Sequence, residues 1–445
     1  MSDTILKKIP NEIKLYNAIE ISDDNIAIKR IKEKCIDCGL CKTICREREG
    51  IKDICNGKAC VYCGQCIQSC PVNALVPRND IFKLKLALQN SKICIAYVAP
   101  AVRVAIGEAF GLEKGEFVQG KLVSALKSLG FTYVLDVTTG ADFTIVEESA
   151  ELVRRIKNNG TLPMFTSYCP SWVKYAETFY PELLPNLSTC KSPISMQGAI
   201  VRDYFCSKMN LNLNDIFTVA ITPCTSKKYE IFRKELPGTD AVITTQELIE
   251  FIKLENIDFK NLEEADFDNL LGEGSGAGMI FGNTGGVMES SIRTVYKILT
   301  GENLTADKLV YKTIRGLSNI KELTLDINGQ ILNFAVVNQM ASAIPILEAA
   351  KKGESPYHYI EIMNCLGGCI GGGGQPKAGN GNEMFVKQKR MDSLYNRDRI
   401  KKIRVSHQNP RVVKVYNEFL KEPLSFKAEE LLHTYYIDQS QDIKQ

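Results

Sequence analysis

Sixteen cysteines are spread unevenly along the 445-residue chain: nine fall between Cys35 and Cys70, and the other seven are scattered over the remainder. The first dense run reads Cys35-Ile-Asp-Cys38-Gly-Leu-Cys41-Lys-Thr-Ile-Cys45, and the second reads Cys60-Val-Tyr-Cys63-Gly-Gln-Cys66-Ile-Gln-Ser-Cys70-Pro71. Both follow C-x2-C-x2-C-x3-C, in which three thiolates wrap three iron corners of a [4Fe–4S] cubane and the fourth cysteine serves the cluster of the other run. The spacing predicts one cubane on Cys35, Cys38, Cys41 and Cys70, and another on Cys60, Cys63, Cys66 and Cys45. Gly39 and Gly64 are expected to let backbone amides turn toward the sulfides. A pair of zinc knuckles is the rival reading, but zinc sites spread their C-x2-C pairs far apart. Arg46, where proline is usual after the fourth cysteine, is read as opening the loop to Cys60, and Cys55 within that loop as a spare thiol.

Three further motifs carry the remaining chemistry. They are Thr166-Ser-Tyr-Cys169-Pro-Ser-Trp172, Ile221-Thr-Pro-Cys224-Thr-Ser-Lys227-Lys-Tyr-Glu230, and Glu361-Ile-Met363-Asn-Cys365-Leu-Gly-Gly-Cys369-Ile-Gly-Gly-Gly-Gly-Gln375-Pro376. A lone buried cysteine is usually a small hydrophobe. Four thiols at three strand ends could instead converge on one more cubane, with the glycines around Cys369 allowing close approach to a bulky inorganic ligand.

The elements that must position these residues change in texture along the chain. Residues 28–85 read as a small α+β ferredoxin-like two-cluster module behind an N-terminal extension, 1–27. From about Lys92, apolar runs at Ile93–Val98, Tyr133–Val137, Pro163–Ser167, Phe217–Thr222, Gly278–Phe281 and Tyr359–Met363 alternate with helical patterns at Leu122–Leu129, Glu147–Asn158 and Thr245–Leu254. Unalternated runs separated by helices predict buried parallel strands in a large two-lobed α/β domain, 90–383, with ligands at the carboxyl ends of strands. Ile331–Ala350 is broken by Asn333, Asn338, Gln339 and Pro345, so it reads as a strand and a core helix and no membrane span is expected. The start of the chain lacks an apolar signal region, which suggests a cytoplasmic protein with reduced thiols. A formal charge of +3 points away from nucleic acid, and three histidines, His358, His407 and His433, are too far apart to suggest a shared metal. Cys94, Cys190 and Cys206 have no partner spacing and read as structural. Gly272-Glu-Gly274-Ser-Gly276-Ala-Gly278 precedes an expected strand instead of following one, so a dinucleotide reading lacks its context.

At the three motifs the sequence resembles the iron-only ([FeFe]) hydrogenases, over nearly everything from Cys35 onward. The resemblance implies that Cys169, Cys224, Cys365 and Cys369 hold the H-cluster, a [4Fe–4S] cubane joined through one thiolate, on Cys369, to a diiron subsite with carbonyl and cyanide ligands. It further implies that Lys227 contacts one cyanide, that Ala99, Pro100 and Ala101 pack against the other, and that Met363 lies beside the subsite. Gly285-Gly286-Val287-Met288-Glu289 and Ser406-His407-Gln-Asn-Pro410 also look like family segments, the latter in a helical strap, 384–445, similar to the small subunit. The implied reaction is 2H⁺ + 2e⁻ ⇌ H₂, with ferredoxin or flavodoxin as electron partner and maturation proteins to load the diiron subsite.

The sequence departs from the family at its proton relay. Tyr168 stands where the family places the cysteine that hands protons to the subsite, and a phenol with an ordinary pKa of about 10 is a poorer carrier than a thiol near 8.5. Glu148, Glu151 and Ser188 align with the outward steps, beside Arg155, although two glutamates on a helix could equally be a solvated face. Thr222 replaces a methionine, and Ile194 a polar residue. These changes resemble less-studied, sensory branches of the family. Four functions therefore stand: a hydrogenase, slow if Tyr168 throttles it; a hydrogen sensor; a non-catalytic relative of the iron–sulfur assembly proteins without the diiron subsite; or a plain electron carrier.

Overall fold

The computed structural model describes residues 18–52, 57–379 and 382–444; Cys55 and the first 17 residues lie outside them. In the N-terminal module β1 (Ile28–Arg30) pairs antiparallel with β2 (Leu75–Pro77). Each cysteine run is a loop that ends in a short helix, α1 (Leu40–Glu47) and α2 (Gln65–Ser69), and each helix starts on a left-handed glycine, Gly39 at φ 73° and Gly64 at φ 70°. A side chain is rarely tolerated in that conformation, so glycine fixes the turn from thiol loop to helix. The cysteines share their core with Ile19, Ala27, Ile28, Ile67 and Leu75.

The main domain is built on two four-stranded sheets. In the first, β3 (Ile93–Val98), β4 (Tyr133–Asp136), β6 (Ile216–Thr222) and β7 (Ala241–Thr244) run parallel in the order β4-β3-β6-β7. In the second, the order is β5-β10-β9-β8: β5 (Met164–Phe165) and β10 (Tyr359–Met363) run parallel to β9 (Gln330–Asn338), and β8 (Ile320–Ile327) closes an antiparallel hairpin on it. Helices cover both, which is why the parallel strands read as continuous apolar runs. β7 and β8 carry no motif and were not among the expected strands. The run at Pro163–Ser167 pairs over only two residues before the chain turns off to deliver Cys169.

One expected strand is a helix. Gly278–Phe281 falls at the end of α-helix Gly276–Ile280, capped by Ser275. Its glycines serve close packing: a Cβ on Gly274 or Gly278 would come within 2.4 Å of Thr138, on the long helix Val137–Lys157. The glycine-rich segment thus runs into a helix instead of the expected strand, but it follows no strand, which a dinucleotide fingerprint requires. Asp142 ties three elements at that crossing, accepting from Ser275 N at 2.8 Å, Ser406 Oγ at 2.7 Å and Asn409 Nδ2 at 2.7 Å. The C-terminal segment is mainly helical and crosses the domain from Glu383–Ile400 to Phe426–Leu432. Among the described residues no helix is long and apolar enough to cross a membrane.

Gly278→Ala is expected to force Thr138 away and cost about 1–3 kcal/mol, as overpacking of a dry contact does. The check is the urea midpoint, which should fall with little change in m-value.

Candidate functional site

One small cavity of the N-terminal module is lined by Cys35, Cys38, Cys41 and Cys70, the last from the second run. Three of these sulfurs accept hydrogen bonds: Cys41 from Ile19 N at 3.2 Å, Cys35 from Arg30 Nη2 at 2.9 Å, and Cys70 from Ala74 N at 3.2 Å. Around the other centre, burial pushes Cys45, Cys63 and Cys66 up, and each is raised further by neighbours among Cys45, Cys60, Cys63 and Cys66. Both quartets therefore draw three cysteines from one run and one from the other.

In the main domain Cys169 follows β5, Cys224 follows β6, and Cys365 and Cys369 follow β10, so thiols from both sheets meet. Burial pushes Cys365 and Cys369 up, and the charges of Cys224 and Cys169 add to both shifts. Thiols held this dry give up their protons only to a metal that takes the charge. The set fits a cubane.

Beside it lies a largely apolar cavity. Ala99, Pro100 and Ala101 form one wall, Ile194 and Thr222 another, and Tyr168, Lys227, Cys224 and Cys369 the rest. Lys227 Nζ donates to Tyr168 O at 3.0 Å and to Glu230 Oε2 at 2.6 Å. An ammonium has three donors, so one N–H remains for an anionic ligand in the cavity. Met363 does not line it; the side chain packs behind Tyr168 with Ala141, Phe281 and Cys169.

The glycines after Cys369 do different work from that expected of them. A Cβ on Gly372 would come within 2.4 Å of Pro223 O, and one on Gly373 within 2.4 Å of Cys63 O. They bring backbone against backbone, which seats the second thiol loop of the small module on the main domain. Across that seam Gln65 Nε2 donates to Cys365 Sγ and to Gly371 O, each at 3.1 Å. Glu49 is buried there too, between Asn364 and Cys63, and burial pushes its carboxyl up to about 8. Sequence reasoning missed both residues; Gln65 could have been noticed inside its cysteine run.

Of the expected relay residues, Glu148 and Glu151 lie on the long helix Val137–Lys157 with Arg155, whereas Ser188 and Tyr168 come from loops outside it. Glu148 and Glu151 are 1% and 2% exposed, so they form no solvated face. Glu151 accepts from Ser188 Oγ at 2.7 Å and Arg155 Nη2 at 2.6 Å. Burial pushes Glu148 up to about 8, against the pull of the Tyr359 and Ser188 hydroxyls that face it. The Tyr168 ring stacks edge-on against Phe281 at 4.9 Å, and its hydroxyl has no hydrogen-bond partner among the described residues. Cys190, read from sequence as structural, has its Sγ 3.7 Å from Glu151 Oε2. Like Cys94 and Cys206, it also packs in an apolar cluster.

The family model "Iron only hydrogenase large subunit, C-terminal domain" matches residues 92–373, "Iron hydrogenase small subunit" matches 384–439, and "4Fe-4S binding domain" matches 56–76. Iron hydrogenase 1 of Clostridium pasteurianum is 42% identical over 374 residues, which is 82% of this chain and 65% of that protein. The cytosolic Fe-S cluster assembly factor narfl of Xenopus tropicalis is 30% identical over 401 residues, 85% of this chain and 82% of that protein. A solved apo [FeFe]-hydrogenase HydA1 variant from Chlamydomonas reinhardtii superposes with TM-score 0.71 at 37% identity, covering 80% of this chain and 98% of that one.

The raised Glu148 carboxyl sets a pH dependence. Folded, it keeps its proton up to about pH 8; unfolded, it ionises from about 4.5. Between those values the folded chain holds a proton that the unfolded chain has lost, so stability falls as pH rises. Glu148→Gln is expected to flatten that part of the profile and to remove a protonated-carboxyl infrared band that titrates near pH 8.

Proposed function

Because the chain belongs to the iron-only hydrogenase family, we propose that it carries an H-cluster and interconverts protons, electrons and H₂ slowly, in the manner of a low-turnover hydrogenase or a hydrogen sensor. The observation that carries this reading is the apolar cavity that Lys227 and Ala99–Ala101 line together with Cys224 and Cys369. When bound, the diiron group supplies the open metal site for 2H⁺ + 2e⁻ ⇌ H₂. Cys169, Cys224, Cys365 and Cys369 hold the cubane, with Cys369 on the cavity wall suited to the shared thiolate. Lys227 fixes an anionic ligand by a charge-assisted hydrogen bond.

The two thiol quartets of the small module would hold [4Fe–4S] clusters able to accept electrons from a soluble ferredoxin or flavodoxin, and Gln65 spans the seam from that module to Cys365. Maturation proteins load the diiron group. Protons move along Glu151, Ser188 and Glu148, with Arg155 paired to Glu151 at the outer end, and this file stops short of the cavity because the Tyr168 hydroxyl does not join it. Good carriers have pKa values near ambient pH, and burial pushes Tyr168 in the wrong direction. The second reading, an assembly-type relative without the diiron subsite, is favoured by the likeness to the assembly factor narfl. It leaves the lysine-lined cavity without a use.

Protein matured with the diiron cofactor is expected to show carbonyl and cyanide infrared bands along with its cubane iron; full cubane content without those bands selects the assembly-type reading. Tyr168→Cys should then raise H₂ evolution by about 10²–10⁴-fold, the usual worth of a placed proton carrier, and an unchanged rate removes the throttle explanation. Gln65→Leu takes an N–H from Cys365 and should shift that cluster to a more negative potential in an EPR redox titration, because hydrogen bonds to ligand sulfur stabilise the reduced state.

A further inference from the structure

Two cavities flank one ion pair. Lys227 lines the main cavity, and its partner Glu230 faces a second of about 20 Å³, bordered also by Ser167, Cys190, Ser192, Arg233 and Tyr436. The other Glu230 oxygen accepts from Ser195 Oγ at 2.7 Å and from Ser192 Oγ. A space of about 10–15 Å³ with two to four polar partners is enough for one water molecule. On the far side of the second cavity, Cys190 meets Glu151, which is paired with the 13% exposed Arg155.

We propose that Cys190 is a proton carrier on a second route, Glu151–Cys190–water–Glu230–Lys227, which reaches the main cavity without Tyr168. A proton entering at Glu151 beside Arg155 passes to the Cys190 sulfur as the thiol releases its own proton to the cavity water. The water passes one proton to Glu230, and Glu230 hands one to Lys227 as the ammonium delivers one of its own N–H protons at the cavity wall, so Lys227 stays charged throughout. Each hop moves a single proton, and the file regains its starting charge when the next one enters. The direction of use rests on the reading that protons are consumed in the main cavity; the connectivity does not.

The surroundings suit a carrier better than a metal site. Ligand atoms of Glu151, Cys190 and His433 lie within 4.8 Å of one another. Yet Glu151 already accepts from Arg155, Ser188 and Thr189 N, and the His433 ring nitrogens face Thr189 Oγ1 at 2.7 Å and Glu147 at 3.2 Å. Burial and the charge of Glu151 push the Cys190 thiol up, so it remains an S–H donor between two polar neighbours.

Infrared spectroscopy of the purified protein in D₂O tests the connection whether or not the diiron group is loaded. The S–H band lost in Cys190→Ser is expected to exchange to S–D about a hundredfold faster than that of Cys94, which is buried in an apolar cluster. Glu230→Gln should slow the Cys190 exchange. In diiron-loaded protein, Cys190→Ala should lower H₂ turnover at least about tenfold, Cys190→Ser should recover part of it, and the same change in the Tyr168→Cys chain should have little effect. A Cys190 band that exchanges no faster than that of Cys94 overturns the route, and so does full turnover in Cys190→Ala.

Discussion

Collecting anionic sulfur in a dry interior is the constraint on which the rest of this molecule depends. Burial pushes the thiols of Cys63, Cys66, Cys365 and Cys369 up, and each worsens the position of its neighbours. An uncompensated buried charge is expensive, so such groups persist only with a cation, a metal or hydrogen-bond donors around them. The donors are present: backbone amides at Cys41 and Cys70, Arg30 at Cys35 and Gln65 at Cys365. The fold can be read as the scaffolding that keeps these donors aimed at sulfur.

That scaffolding relies on backbone approaching backbone. Neither sheet alone carries the main site, since Cys224 belongs to one and Cys169, Cys365 and Cys369 to the other. The seam between them, and between both and the small module, closes because Gly372, Gly373 and Gly374 have no side chains to hold the chains apart. Buried ion pairs brace the packing of other elements: Arg103 with Asp136, Lys228 with Asp80 and Glu247, and Arg293 with Glu289 and Asp398. Losing one partner of such a pair leaves a bare charge in the core, which is why they specify the arrangement even where their net stabilisation is small.

The cysteine loops and the long apolar strands were legible because their signals are local: fixed spacing in one case, unalternated β-branched runs in the other. Tyr359–Met363 and Thr245–Leu254 have the same ends in sequence pattern and structure. Gly278–Phe281 was misjudged for a related reason. Over four residues an apolar run has no period, and what decided its shape was the approach of Gly278 to Thr138, 140 residues earlier in the chain. The burial of Glu148 and Glu151 was equally out of reach, since a helix covered on every side has no polar face to betray it. Cys190 and Gln65 were hidden because their partners, Glu151 and Cys365, are distant in sequence.

Tyr168 is held through its ring and its main-chain carbonyl, and its hydroxyl is left out of the hydrogen bonding among the described residues. A buried hydroxyl without a partner costs roughly 1–3 kcal/mol, which phenylalanine in that place would avoid. The ring itself is well accommodated, edge-on to Phe281 and packed with Met363, so the position tolerates an aromatic side chain without disturbing the neighbouring Cys169. The backbone carbonyl of Tyr168 still anchors Lys227, and no side chain is needed for that. Positioning of the ammonium is therefore separable from the side chain at this residue: the bond to Lys227 comes from the main chain, and the hydroxyl makes none among the described residues.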